Sequence, residues 1–244
     1  LSIWIFFPIF ATESERAVYI YTALYHNQHI VMEQQVKQVP YGVADFATVM
    51  TQDLYYVDKT MFLPELEKQP RNLFFIRPRR FGKSIFLSML YSYYDCNQKN
   101  IFETLFGNLW IGSHPTPLQG KYQVLFLDFS QITGKIDVLE ERFNAYMSIN
   151  LDAFVRKYAN YYKEEKEEIL SKTEYADKIE LLFKAAKAHG YALYLIIDEY
   201  DNFTNVVLNE HGERVYHAIT HADGFYRDVF KKFKGNFERI FMMG

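Results

Sequence analysis

Apolar residues along this chain switch between two spacings, and the switches mark its elements. Apolar runs at 73–76, 124–127 and 191–197 read as core strands, the second carried on through Asp128 to Ser130, since a parallel strand covered on both faces shows no polar alternation. Between them the spacing changes to three and four. Phe86, Met89, Leu90 and Tyr93 share one face of a helix expected over 84–94. Phe143, Met147, Leu151, Phe154, Tyr158 and Tyr161 line a longer helical region. Ile179, Leu182, Phe183 and Ala186 mark another helix, stopped by Gly190. Residues 213–233 read as helical with a break near Gly224, and 237–243 as a last strand. Upstream, 55–57 reads as extended, and Asp58 as the cap of a helix running to about Glu67. Residues 97–120 carry Gly107, Gly112, Pro115, Pro117 and Gly120 and read as loop. The charge run at 163–168 reads as a solvated helical face.

The turn between the first strand and the next helix carries the clearest chemistry. It reads R-P-R-R-F-G-K-S over 77–84 and matches the end of the phosphate-loop pattern G-x-x-x-x-G-K-[ST], with Arg77 at the first glycine position. Gly82 lets the backbone approach a phosphate without a Cβ in the way. Lys83 can place an ammonium on the β- and γ-phosphates, and Ser84 a hydroxyl on Mg²⁺. Amides from Gly82 onward, through Ser84 and Ile85, would point at the anion from a helix N-terminus. Arg79, Arg80 and Phe81 complete the candidate nucleotide-binding segment. A second apolar run ends in Asp198 and Glu199. Ligands bind at the carboxyl ends of such strands, so Asp198 is expected to hold Mg²⁺. Glu199 is placed to orient or deprotonate an attacking water, with Lys83 neutralising developing charge.

Strands alternating with helices predict a parallel sheet, and right-handed crossovers would cover both of its faces. The fold class expected is α/β, a P-loop NTPase three-layer sandwich with a mostly parallel central sheet. In ATPases of this architecture the strand after the Asp-Glu strand usually sits between it and the phosphate-loop strand. A γ-phosphate sensor often follows that strand; its position falls past Gly244, so the chain reads as truncated. Residues 1–36 read as an N-terminal extension with Met32 as an alternative start, and 37–244 as the domain.

Bulk properties narrow the partners. With 244 residues there is room for one large α/β domain, and 49% hydrophobic against 23% charged residues exclude a disordered chain. The net charge of -3 gives no global pull towards nucleic acid, so the basic cluster at 77–83 is assigned to nucleotide phosphates. The 20 Tyr and 22 Phe could stack on bases, yet core packing accounts for them more simply. Cys96 is the single cysteine, which excludes an internal disulfide and fits a reducing, cytoplasmic setting. The apolar tract at 1–10 is too short to span a bilayer and lacks a basic start, so no membrane partner is expected. His217 and His221 stand four apart without a neighbouring glutamate or third ligand, and no metal site is read there.

Three stretches together resemble a known family. They are Val39-Pro-Tyr-Gly42 with Tyr55-Tyr-Val-Asp-Lys-Thr60, the 77–84 turn, and Ile197-Asp-Glu-Tyr-Asp201. From about residue 38 to the end, the chain resembles the AAA-ATPase-like family of predicted ATPases, common in gut anaerobic bacteria. In that family the ATPase module is often followed by a PD-(D/E)XK nuclease-like module, which no residues here match. An arginine at the first glycine position is usual for the family. The resemblance implies ATP as ligand, Lys83 and Ser84 on phosphate and Mg²⁺, Asp198 on the metal and Glu199 on the catalytic water. It leaves Asp58, Lys59 and Asp201 without assigned roles. Two alternatives stay open: a nucleotide-binding switch with little turnover, and a nucleic-acid-associated ATPase. A homo-oligomer supplying an arginine finger is a further expectation, with Arg214, Arg227 and Arg239 as candidates.

Overall fold

A computed structural model of the chain describes residues 37–76, 78, 81–133, 136–201, 205, 207–208, 212–213, 217 and 225–244. The expected extension over 1–36 and the expected break near Gly224 lie outside these. The account below concerns the unit Pro40–Gly244.

Four strands, β1 (Asn72–Phe75), β2 (Gln123–Asp128), β3 (Leu193–Asp198) and β4 (Arg239–Met243), form one sheet. Their order is β1-β4-β3-β2 and every pairing is parallel. The strand after the Asp-Glu strand thus lies between it and β1, as the architecture requires. Helices precede and link the strands: α1 (Phe46–Thr51), α2 (Leu63–Lys68), α3 (Lys83–Tyr94), α4 (Phe102–Phe106), α5 (Trp110–Ser113), α6 (Ile136–Lys157), α7 (Lys166–Ser171), α8 (Tyr175–His189) and α9 (Phe225–Asn236).

Alternate strand residues serve opposite faces, and each face has its own core. On one, Val124, Tyr194, Ile196, Phe241 and Met243 pack with Leu87, Leu90 and Tyr94 of α3. On the other, Leu125, Leu127, Leu195, Ile197, Ile240 and Met242 pack with Phe143 and Met147 of α6, Leu182 of α8 and Phe233 of α9. Burying each such side chain is worth about 1.5–3 kcal/mol, so the two cores together hold a three-layer α/β sandwich.

The edge of β2 is closed by side chains. An open strand edge invites pairing with another chain. Here the Tyr158 hydroxyl accepts from the Val124 N–H at 2.8 Å, and the Tyr146 hydroxyl from the Asp128 N–H at 2.8 Å. Where α6 ends, the Lys157 ammonium binds the fully buried Asp95 carboxylate and the Tyr91 hydroxyl. A buried carboxylate needs such a partner.

Some expected elements came out differently. Residues 55–57 join no strand. Asp58 starts a 3-10 turn (Thr60–Phe62) that runs into α2, accepting from the Thr60 N–H at 2.8 Å and the Thr60 hydroxyl at 2.7 Å. Its other oxygen accepts from the Trp110 N–H at 2.7 Å, at the start of α5. The expected loop over 97–120 contains α4 and α5, of 5 and 4 residues. Helices this short show no period and form through tertiary burial. Leu105, Phe106 and Ile111 supply it.

Candidate nucleotide site

Two turns meet at the carboxyl ends of β1 and β3. The first joins β1 to α3. Gly82 adopts φ 70°, ψ 32°, in the left-handed region where glycine carries no penalty. A Cβ there would meet Ile85 Cγ2 at 3.4 Å, so conformation rather than crowding calls for glycine. The Gly82 carbonyl accepts from the Phe86 N–H at 3.2 Å and opens α3. First-turn amides of a helix lack helical acceptors and favour an anion.

The second turn follows β3. Asp198 is its last residue and is only 7% exposed. The Ser84 hydroxyl donates to Asp198 Oδ2 at 3.0 Å, and the Glu199 N–H donates to Oδ1 at 3.0 Å. Glu199 sits at φ 52°, a sparsely populated conformation for a non-glycine residue, of the kind that concentrates at functional sites. The Tyr200 N–H donates to the Met243 carbonyl at 3.2 Å and ties this turn to β4. So turned, Glu199 Oε1 stands 3.0 Å from Lys83 Nζ.

Charge is concentrated here. Burial pushes the Asp198 carboxyl above the usual carboxylate range. The charges of Glu199 and Asp128 push the same way, and the hydrogen bonds from Ser84 and the Glu199 N–H only partly offset them. Asp128 ends β2 directly beside Asp198 in the sheet register. Its carboxylate accepts from the Ser130 N–H at 2.9 Å and from Gln131 Nε2 at 3.2 Å. Gly82, Lys83, Ser84, Asp128, Asp198 and Glu199 surround a cleft of about 530 Å³, with Ile85, Val43 and Ala44 on its wall.

Val43 and Ala44 are held by the start of α1. Asp45 caps that helix, accepting from the Thr48 N–H at 2.8 Å. The Ser88 hydroxyl of α3 donates to Asp45 at 2.9 Å and accepts from the Phe46 N–H at 2.9 Å.

Of the expected site residues, Gly82, Lys83, Ser84, Ile85, Asp198 and Glu199 come together, and Phe81 adjoins them in the loop. Arg77, Arg79 and Arg80 lie outside the described residues, as do Arg214 and His221. Arg239 stands at the start of β4, the opposite end of the sheet, and donates to the Glu67 carbonyl at 2.5 Å. Arg227 is exposed on α9. Asp128 was read only as a strand residue. The signal for it was its place at the carboxyl end of a core strand.

The fold and site define a P-loop-type α/β sandwich with a candidate anion cradle facing paired carboxylates. A family described as Predicted AAA-ATPase, the AAA-ATPase-like family, matches residues 40–244, and the chain belongs to it. A relative from Azotobacter chroococcum mcd 1, named "Uncharacterized protein in vnfD 5'region", is 32% identical over 173 residues. That alignment covers 68% of this chain and 29% of the relative, so the chain spans under a third of that protein's length. No solved structure matches the chain. Among the described residues no helix is long and apolar enough to cross a membrane.

Proposed function

We propose that this chain is an ATP-binding module that hydrolyses ATP with Mg²⁺. The observation that carries the reading is the Ser84–Asp198 hydrogen bond, which joins two turns 114 residues apart into one site. Lys83 supplies the ammonium for the β- and γ-phosphates, and the first amides of α3 supply the cradle. Ser84 and Asp198 fit a magnesium ion: both present hard oxygens, already 3.0 Å apart. Magnesium takes most of its ligands from substrate phosphates and water, so one carboxylate and one hydroxyl suit it. When bound, Mg²⁺ neutralises charge on the β- and γ-phosphates. Glu199 aims a water at the γ-phosphorus and accepts its proton as the bond to the ADP oxygen breaks.

Calorimetry with Mg²⁺ and ATP on the protein and on Lys83→Ala tests the first half. Binding is expected in the former and lost in the latter; no binding by the folded wild type would end the proposal. Phosphate release tests the second half.

A second reading is a nucleotide switch with little turnover. The Lys83–Glu199 ion pair favours it, because it engages the carboxylate that would otherwise orient the attacking water. Under that reading ATP binds normally and phosphate release stays at the uncatalysed level.

A further inference from the structure

Gly82 and Lys83 also line a second pocket, of about 370 Å³, that none of Asp128, Asp198 and Glu199 reaches. Its walls are mostly apolar, with Glu65 and Gln69 adding polar groups. Phe62 and Leu66 come from the segment leading into β1, Phe81 from the loop and Phe86 from α3, while Phe241 and Met243 of β4 contribute from the sheet. Phe62 and Phe81 are 59% and 57% exposed, so these two rings border the pocket without joining the core. Lys59 lines the pocket as well, and its Nζ lies 4.0 Å from where a Cβ on Gly82 would stand. A concave apolar site with exposed rings and a few polar groups suits a flat heteroaromatic ligand. The ligand's polar end is indicated by continuity, since the pocket and the phosphate cradle share Gly82 and Lys83.

We propose that this pocket holds the nucleobase of the nucleoside triphosphate whose phosphates lie along Gly82, Lys83 and Ser84. Phe62 and Phe81 provide its stacking surfaces, and Lys59 meets the ribose and α-phosphate end. This rests on the phosphate-site reading above and adds what selects a nucleotide over a bare polyphosphate. It also gives Lys59 a role that its place in the sequence left unassigned.

The test measures binding of ATP and of inorganic tripolyphosphate, each with Mg²⁺, to the full chain and two variants. Phe62→Ala removes a stacking surface that is half exposed, and Leu66→Trp fills the pocket. Expected is a loss of ATP affinity of about tenfold or more in both variants, in line with the worth of one stacked base, with tripolyphosphate affinity unchanged. ATP affinity unchanged in both variants would overturn the pocket assignment and leave the phosphate site standing. A parallel loss of both ligands would overturn it too, by tracing the effect to the loop. Lys83→Ala separates the two readings: it should abolish both ligands. If wild-type protein binds neither, the phosphate site itself fails and the pocket with it.

Discussion

Lys83 Nζ lies 3.0 Å from Glu199 Oε1, so the cation suited to a nucleotide's phosphates and the carboxylate suited to its attacking water are paired with each other. Lys83 is 9% and Glu199 31% exposed at the side chain, so neither group is fully solvated in the pair. Under the proposed function, phosphates would compete with Glu199 for the ammonium, and success would free Glu199. The two steps would then be coupled, the carboxylate being released only where an anion has arrived.

The coupling gives Glu199→Gln a distinctive signature. The neutral side chain no longer competes for Lys83, so ATP affinity should rise by about threefold to tenfold, the worth of a partly exposed ion pair. Phosphate release should fall to background. Calorimetry and a phosphate assay on one preparation check both. Weaker ATP binding in this variant would contradict the competition.

Asp198 should make the ligand-free protein less stable at neutral pH. Its folded-state pKa is raised by burial first, then by Glu199 and Asp128. The folded state therefore holds the proton more tightly than the unfolded chain does. The stability this provides is fully present below the unfolded value of about 3.9 and is lost as pH rises through the raised folded value. Asp198→Asn removes the charge, so it should melt higher than wild type at pH 7, and the difference should shrink towards pH 4. Thermal melts without nucleotide or Mg²⁺ across that range decide it. A variant that melts lower at pH 7 would show that the Ser84 contact outweighs the burial of charge.

Tyr158→Phe removes the hydroxyl that satisfies the Val124 N–H on the β2 edge. The buried amide then has no acceptor, at a cost of roughly 1–3 kcal/mol. Urea denaturation should show that loss while ATP affinity stays unchanged, because the contact is at the strand's start and the cleft at its end. A change under about 0.5 kcal/mol would mean the amide finds another partner.

Asp45 joins α1 to α3 from the helix cap. Burial raises its carboxyl pKa, but the hydrogen bonds from Thr48, Ser88 and Ala47 outweigh this and leave it lowered. Its contribution is thus present above the unfolded carboxylate value and fades as pH falls through the lowered one. Asp45→Ala should cost about 1 kcal/mol at neutral pH, and Asp45→Asn less, since asparagine also caps. Denaturation at pH 7 and again near pH 3 compares them. An alanine variant as stable as the asparagine one would remove the cap from the account.

Much of the site was legible because its signals are short. Gly82-Lys83-Ser84 opens a helix within one turn of chain, and Asp198 and Glu199 end an apolar run. Strands β1, β3 and β4 and helices α3 and α8 fell within a few residues of their expected bounds, since burial on a sheet face or helix stripe repeats every two to four residues. The helices of 97–120 were not legible, being too short to repeat.

By itself the sequence determined most of the strands and the longer helices, and which residues are candidates for phosphate and metal chemistry, because these depend on neighbours within a turn or two. Tertiary structure alone decided what those residues meet. The order β1-β4-β3-β2 sets Asp128 beside Asp198 and brings the Asp198 strand end to the Ser84 hydroxyl. The turn at φ 52° aims Glu199 at Lys83, and Tyr146 of α6 and Tyr158 just after it close the β2 edge from 18 and 34 residues away. Local spacing cannot encode such contacts, because each depends on which strands the two cores place side by side.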